Sequence, residues 1–230
     1  MDFVIERGNI VYCDTDAIVL PANKSLKEGS GTSRAIFSAA GRKQLTEACG
    51  QIGECEVGMA APTSAYKLKS DYIIHAVVPR WIDGKHDEYG LLSSAYLAAL
   101  NVADVMKCET ISFPLLSAGN NGFSRDLAFK IAVESISSFN GEFIKEVRLI
   151  VFDEEMAVFV KTQGYEVKDL IKEAQNERKE KMERMKRKTK EVAKDALNAG
   201  LDFMKDKDNQ KKIFQIGLKI ATIYLESKVK

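Results

Sequence analysis

The chain has 230 residues, 45% of them hydrophobic and 29% charged, with a formal net charge of +1. That composition is close to the globular average, so it excludes wholesale disorder and leaves room for one domain of about 100–150 residues plus a surplus. The near-neutral total hides a division, because residues 1–164 carry 16 Lys+Arg against 21 Asp+Glu and residues 165–230 carry 18 against 12.

The amino terminus sets Asp2, Glu6 and Arg7 close behind Met1 instead of an apolar leader, and no run of about 18 apolar residues occurs. A cytoplasmic protein with no membrane-spanning helix is therefore expected. Short apolar runs then alternate with helix-period segments as far as Gly164, the pattern of a three-layer α/β domain. Strands are expected at Phe3 to Ile5, Ile10 to Tyr12, Ala17 to Leu20, Tyr72 to Val78, Thr110 to Leu115 and Val147 to Phe152. Several are almost unbroken in Ile, Val, Leu and Phe, as central strands covered on both faces are. Helices are expected over Thr32 to Cys49, Tyr89 to Met106, Arg125 to Phe139 and Glu154 to Thr162.

Beyond Gly164 the character changes. From Val167 to about Leu197 there is no Pro or Gly, and Lys, Glu, Arg, Met and Ala dominate. With an i,i+4 pair such as Glu180/Arg184, this predicts one long solvated helix. Gly200 is expected to interrupt it, and Lys211 to Val229 forms a terminal amphipathic helix rich in Ile, Leu and Phe. The domain reading is thus 1–164 for the α/β domain and 165–230 for a helical tail.

Four cysteines, Cys13, Cys49, Cys55 and Cys108, lack Cys-x-x-Cys spacing, and His75 and His86 are the only histidines. This argues against a zinc centre, a disulfide scaffold and a Cys/His nucleophile. His75, inside an apolar strand, is expected to be a packed, hydrogen-bonded residue rather than a base. Trp81 is left between two readings, the edge of a pocket and a cover over the core.

Two glycine-bearing loops follow apolar strands and precede helical segments. The first contains Gly29, Ser30, Gly31 and Thr32, and the second runs Ser117-Ala118-Gly119-Asn120-Asn121-Gly122-Phe123. Glycine lets the backbone approach a ligand, and the free N–H groups at a helix start suit a phosphate. Two such loops at the carboxyl edge of one sheet can clasp a diphosphate from opposite sides. The plainer alternative for either loop alone is a flexible connection. Neither loop carries the Gly-x-Gly-x-x-Gly or Gly-Lys-Ser/Thr pattern, so ordinary dinucleotide-fold and NTPase readings lack support.

From about Phe3 to Gly164 the chain resembles a macrodomain, the ADP-ribose-binding α/β/α module with a mixed central sheet. Arg7-Gly8-Asn9-Ile10 and Asp16-Ala17-Ile18-Val19 resemble the family's Gly-Asp-Ile-Thr strand and its Asp-Ala-Ile-Val run. Leu20-Pro21-Ala22-Asn23 takes the place of Asn-Ala-Ala-Asn. Gly29-Ser30-Gly31 through Ala35-Ile36-Phe37 to Ala39-Ala40-Gly41 resembles the glycine-rich loop and its helix. Tyr72 to Pro79 resembles the Tyr-Val-Ile-His strand, and Phe113-Pro114 with Ser117 to Phe123 resembles the second phosphate loop.

The resemblance implies ADP-ribose as ligand, free or protein-linked, with no metal or other cofactor. Gly29, Ser30, Gly31 and Thr32 would serve one side of the diphosphate and Ser117, Gly119, Asn120, Asn121 and Gly122 the other, with Ser33 and Ala118 also among the ligand-binding residues. Asn23 would meet the distal ribose, where it is also the candidate catalytic residue. Phe123 would provide an apolar wall, unless it simply packs in the core. Asn9, beside Ile10, stands where the family commonly has the aspartate that accepts from the adenine amino group, and it would accept more weakly without charge.

Family hydrolases of the commonest type carry an aspartate two residues after the loop's last glycine, near the distal ribose. Here that residue is Ser33, which cannot be a carboxylate base, and Leu20 replaces the first asparagine. Binding therefore ranks above hydrolysis of ADP-ribosyl groups or deacetylation of O-acetyl-ADP-ribose. A third reading is a degenerate macrodomain whose working part is the tail. Lys181 to Lys190, with six basic residues against the single acidic Glu183, can contact nucleic acid or simply form a solvated face. The terminal helix is suited to oligomer or partner contacts.

Overall fold

The computed structural model describes residues 1–204 and positions 215 and 219. The expected amphipathic helix from Lys211 to Val229 otherwise lies outside the described residues. Two compact units are present, Met1–Ile171 and Lys172–Lys230.

The first unit is built on a seven-stranded sheet: β1 Asp2–Arg7, β2 Ala17–Ala22, β3 Ala60–Ser64, β4 Tyr72–Val77, β5 Thr110–Pro114, β6 Glu146–Val151 and β7 Lys168–Asp169. The order across the sheet is β3-β4-β2-β5-β6-β1-β7. Every neighbouring pair is parallel except β3 with β4, so the sheet is mixed as expected. The helices are α1 Thr32–Ala40, α2 Arg42–Ile52, α3 Glu88–Val105, α4 Arg125–Ser138, α5 Glu154–Thr162 and α6 Leu170–Met204.

Alternation along the strands sends side chains into two cores, one on each face. On β2, Ala17 and Val19 join Leu92, Tyr96 and Leu100 of α3, whereas Ile18 and Leu20 join Ile36 and Phe37 of α1 and Leu45 of α2. β4 divides likewise, with Ile74 and Ala76 on one side and Ile73 and Val77 on the other. Burial of each such aliphatic or aromatic side chain stabilises the fold by about 1.5–3 kcal/mol, and truncating fully buried Phe113 to Ala would cost about 3–5 kcal/mol.

Four local expectations are corrected. Ile10–Tyr12 is a 3-10 turn rather than a strand, because the Asn9 side chain accepts the Val11 N–H at 3.2 Å and caps it. The helix expected over Thr32 to Cys49 is two helices, broken at Gly41, whose φ of 106° no other residue type adopts readily. β3 was not foreseen, since Ala60, Ala61 and Pro62 are poor strand formers, and it lies at the sheet edge, where a proline is tolerated. The last concerns the tail: Lys168–Asp169 pairs with β1, carrying the sheet past Gly164, and α6 starts at Leu170 and continues through Gly200. Arg7 fixes that edge by donating to Asp169 at 3.0 Å. Side chains 172–191 of α6 are exposed, Lys181 to Lys190 included. No helix among the described residues is long and apolar enough to cross a membrane.

Candidate functional site

The site is positioned by chain topology. After β2 the chain moves outward to β4 and β3, then returns to β5 on the other side of β2, and such a reversal opens a crevice at the carboxyl ends of the strands. β2 and β5 pair only at Ala17–Ile111 and Ile18–Ser112. Beyond that point the two strands part, and their following loops border the gap.

Two cavities lie there. The first, of about 320 Å³, is lined by Gly8, Asn9 and Ile10 after β1, by Gly31, Thr32 and Ala35 at the start of α1, and by Pro114, Ile150 and Phe152. Phe152 is 69% exposed, an aromatic face presented to solvent at the cavity. Asn9 reaches this cavity, but its side-chain carbonyl already accepts the Val11 N–H, so only its remaining lone pair and its amide N–H groups face other partners. Ile10 is 5% exposed and closes the floor.

The second cavity, also about 320 Å³, lies between the two loops. Pro21, Ala22, Asn23, Gly29, Ser30, Gly31, Thr32 and Ser33 line it on one side, and Val78, Arg80, Leu115, Ser117, Gly119, Asn120 and Asn121 on the other. Gly31 and Thr32 border both cavities, so the two form one bipartite crevice.

The first loop is held by side chains of its own sequence. Asn23 Oδ1 accepts the Lys27 N–H and the Ser25 hydroxyl, and its Nδ2 donates to the Lys27 carbonyl at 2.8 Å. Buried Ser33 accepts the Gly29 N–H at 3.0 Å. Gly31, at φ 56° and ψ −125°, makes the bend into α1 that a Cβ would strain. The N–H groups of Ser30, Gly31 and Thr32 have no backbone acceptor among the described residues, nor do those of Gly119, Asn120 and Asn121. Two sets of N–H groups without a backbone acceptor thus belong to residues that line one cavity, as an anion site requires.

Support for the second loop comes from behind. Ser117, at φ 62°, donates its hydroxyl to the Pro79 carbonyl at 3.1 Å, and the Trp81 N–H donates to the Asn121 carbonyl at 2.7 Å. Phe123 is buried and meets the Trp81 ring edge-on at 5.1 Å, so it packs beneath the loop and lines neither cavity. Ala118 and Gly122 likewise stay outside both linings. Trp81 takes the covering role over Phe123. The loop after it is organised by Glu88, whose carboxylate accepts N–H groups from Ile82, Asp83, Gly84 and His86. Burial pushes that carboxyl up, but these bonds outweigh it and hold its pKa at about 2. Asp83, His86 and Glu88 form a group of suitable spacing for a metal, yet both Glu88 oxygens already accept backbone donors.

His75 of β4 meets Cys49 of α2 in the core between sheet and helix. His75 is 0% exposed, lies 2.9 Å from Thr63 Oγ1, and has its pKa lowered to about 4 by burial. Burial pushes the Cys49 thiol up, so the pair is a packed contact rather than a nucleophile and its base. Residues outside the sequence-based set are mostly strand ends: Pro21 and Ala22 on β2, Pro114 on β5, Ile150 and Phe152 at β6, and Val78 and Arg80 after β4. Their common signal is position at a strand's carboxyl end.

Comparison with known proteins places this geometry among relatives. A family model for the macro domain matches residues 19–132. A macro domain-containing protein of Listeria monocytogenes is 41% identical over 162 residues, covering 67% of this chain and 92% of the relative. A protein of Pantoea vagans named O-acetyl-ADP-ribose deacetylase 1 is 41% identical over 155 residues, covering 65% of this chain and 90% of its own length. The Oceanobacillus iheyensis macrodomain, solved with ADP, superposes with a TM-score of 0.65 at 32% identity, covering 70% of this chain and 89% of the other. The Trypanosoma brucei macrodomain in complex with ADP-ribose gives 0.64 at 25% identity, covering 71% and 69%.

Proposed function

The chain belongs to the macro domain family, and on that footing we propose that its crevice binds ADP-ribose, free or attached to protein. The observation that carries this reading is the bipartite crevice: an aromatic-edged cavity and a cavity faced by two sets of free N–H groups share Gly31 and Thr32 as their common border. A purine fits against Phe152 in the first. The diphosphate passes Gly31 and Thr32, and the terminal ribose lies toward Asn23 in the second. Relatives solved with ADP and with ADP-ribose support the same reading.

Isothermal titration of the full chain with ADP-ribose tests it. Saturable heat is expected, and Phe152→Ala should weaken binding about tenfold, since base–aromatic stacking is worth about 1–3 kcal/mol. No heat and no thermal shift at millimolar ligand would reject the reading.

A second reading, deacetylation of O-acetyl-ADP-ribose, is favoured by the names of relatives. The second cavity's lining contains no Asp, Glu, His or Cys among the described residues. Any attack by water there would have to draw its base from the substrate, with Asn23 as a positioning residue. Acetate release on incubation with O-acetyl-ADP-ribose, abolished in Asn23→Ala, would establish it. For α6 the reading is a contact surface for a second copy or a partner protein, supported by exposed Met182 and Met185 on a long charged helix. Light scattering on the full chain should show an assembly larger than one chain, and salt-sensitive retention of RNA or DNA would replace that reading with a nucleic-acid contact.

A further inference from the structure

Arg80 alone is charged among the residues lining the second cavity. It is exposed, and it has no ion-pair partner among the described residues, whereas Arg7, Arg42, Arg125 and Arg148 each meet a carboxylate. Its backbone is tied to the second loop on both sides, through Ser117 to the Pro79 carbonyl and through the Trp81 N–H to the Asn121 carbonyl. Glu88 fixes the segment that follows by collecting four N–H groups, and Trp81 rests on Phe123. A flexible cationic side chain therefore issues from an anchored root beside the free N–H groups of Gly119, Asn120 and Asn121.

From this arrangement we propose that Arg80 is a specificity-determining contact for the diphosphate of the ligand, making the second cavity select a pyrophosphate group over a single phosphate or a neutral sugar. The inference deepens the ADP-ribose reading and rests on it for the nucleoside. Its physical basis is separate. Residues 1–164 carry 16 basic against 21 acidic side chains, so the domain's overall field repels a dianion. Backbone dipoles orient phosphate oxygens, and a guanidinium adds a full charge with two parallel donors that no amide supplies. Because Arg80 is exposed, solvent and salt weaken the contact, and its contribution falls as ionic strength rises.

The test is titration of the full-length wild type, Arg80→Gln and Arg80→Lys with ADP-ribose, ADP, AMP, adenosine and inorganic pyrophosphate, with thermal unfolding as the folding control. Arg80→Gln should weaken ADP-ribose, ADP and pyrophosphate about tenfold each, with a smaller loss for AMP and none for adenosine, and Arg80→Lys should recover part of the loss. The difference between wild type and Arg80→Gln should shrink between low and high salt. Unchanged ADP and pyrophosphate binding in Arg80→Gln would overturn the proposal. So would a loss confined to ADP-ribose, which would place Arg80 at the terminal ribose, or an equal loss for adenosine. If wild type binds pyrophosphate through Arg80 but not ADP-ribose, the inference stands and the nucleoside reading falls. If it binds no phosphate at all, both fall.

Discussion

Asn120 donates its side-chain amide to the Ser30 hydroxyl at 2.6 Å, joining the two glycine-bearing loops that line the second cavity. Residues 90 positions apart thus meet over the place where the diphosphate is proposed to lie. The bond is exposed and neutral, worth about 0.5–1.5 kcal/mol. We predict that Asn120→Ala speeds ADP-ribose dissociation about 3- to 10-fold and lowers the melting temperature by only a few degrees. Stopped-flow dissociation checks this, and an unchanged off-rate would show that the contact does not persist over the bound ligand.

Gly31 borders both cavities with a φ of 56° and nothing within 4 Å of a built Cβ. Space is available, but the conformation is not one an L side chain adopts easily, at a cost of about 1–3 kcal/mol. Gly31→Ala should therefore lower stability by about that amount in urea unfolding. Its larger effect should be on ligand, because the added methyl stands at the junction of the two cavities. Binding that survives undiminished would place the ligand's path elsewhere.

Ser33 Oγ holds the first loop by accepting the Gly29 N–H, and a carboxylate at this position can accept the same donor while offering a second oxygen to water. If the absence of a base limits turnover, Ser33→Asp should raise acetate release from O-acetyl-ADP-ribose, since a positioned general base contributes about 10²–10⁴-fold. A tenfold rise over wild type is the smallest expected result. Equal rates in the two proteins would mean that the base comes from the substrate or that the geometry does not admit water.

His75 supplies a pH dependence of stability. Its pKa is lowered from 6.5 to about 4 in the folded chain, so between those values the unfolded state binds a proton that the native state does not. Stability is then fully present above pH 6.5 and declines as pH falls toward 4, by about 3 kcal/mol for this group. Urea unfolding from pH 7.5 to 4 should show that loss, and His75→Gln should flatten it. A pH profile unaltered by the substitution would assign the acid sensitivity to other groups.

The strands of the parallel core were legible because Ala17 to Leu20, Tyr72 to Val78 and Val147 to Phe152 are apolar apart from His75 and Arg148, the mark of burial on both faces. Ile10 to Tyr12 is equally apolar and misled, because a single capping bond from Asn9 decided its conformation. The two loops were visible from their glycines and their places between strand and helix. Phe152 and Arg80 carry no site signal in the sequence: one ends an apolar strand run, and the other is a lone cation beside Trp81.

What the linear sequence determined by itself was the alternation of strand and helix, the family, the two glycine-bearing loops and the presence of Ser33 where a carboxylate would be needed as base. These depend on residue type and short spacing, which a chain carries before it folds. Tertiary structure decided that Phe123 supports the second loop from beneath, that β7 continues the sheet past Gly164, and that Arg80 reaches the same cavity as Gly29 to Ser33. Those relations join segments distant along the chain, and the gap that the two loops border opens where β2 and β5, paired at Ala17 and Ile18, cease to pair.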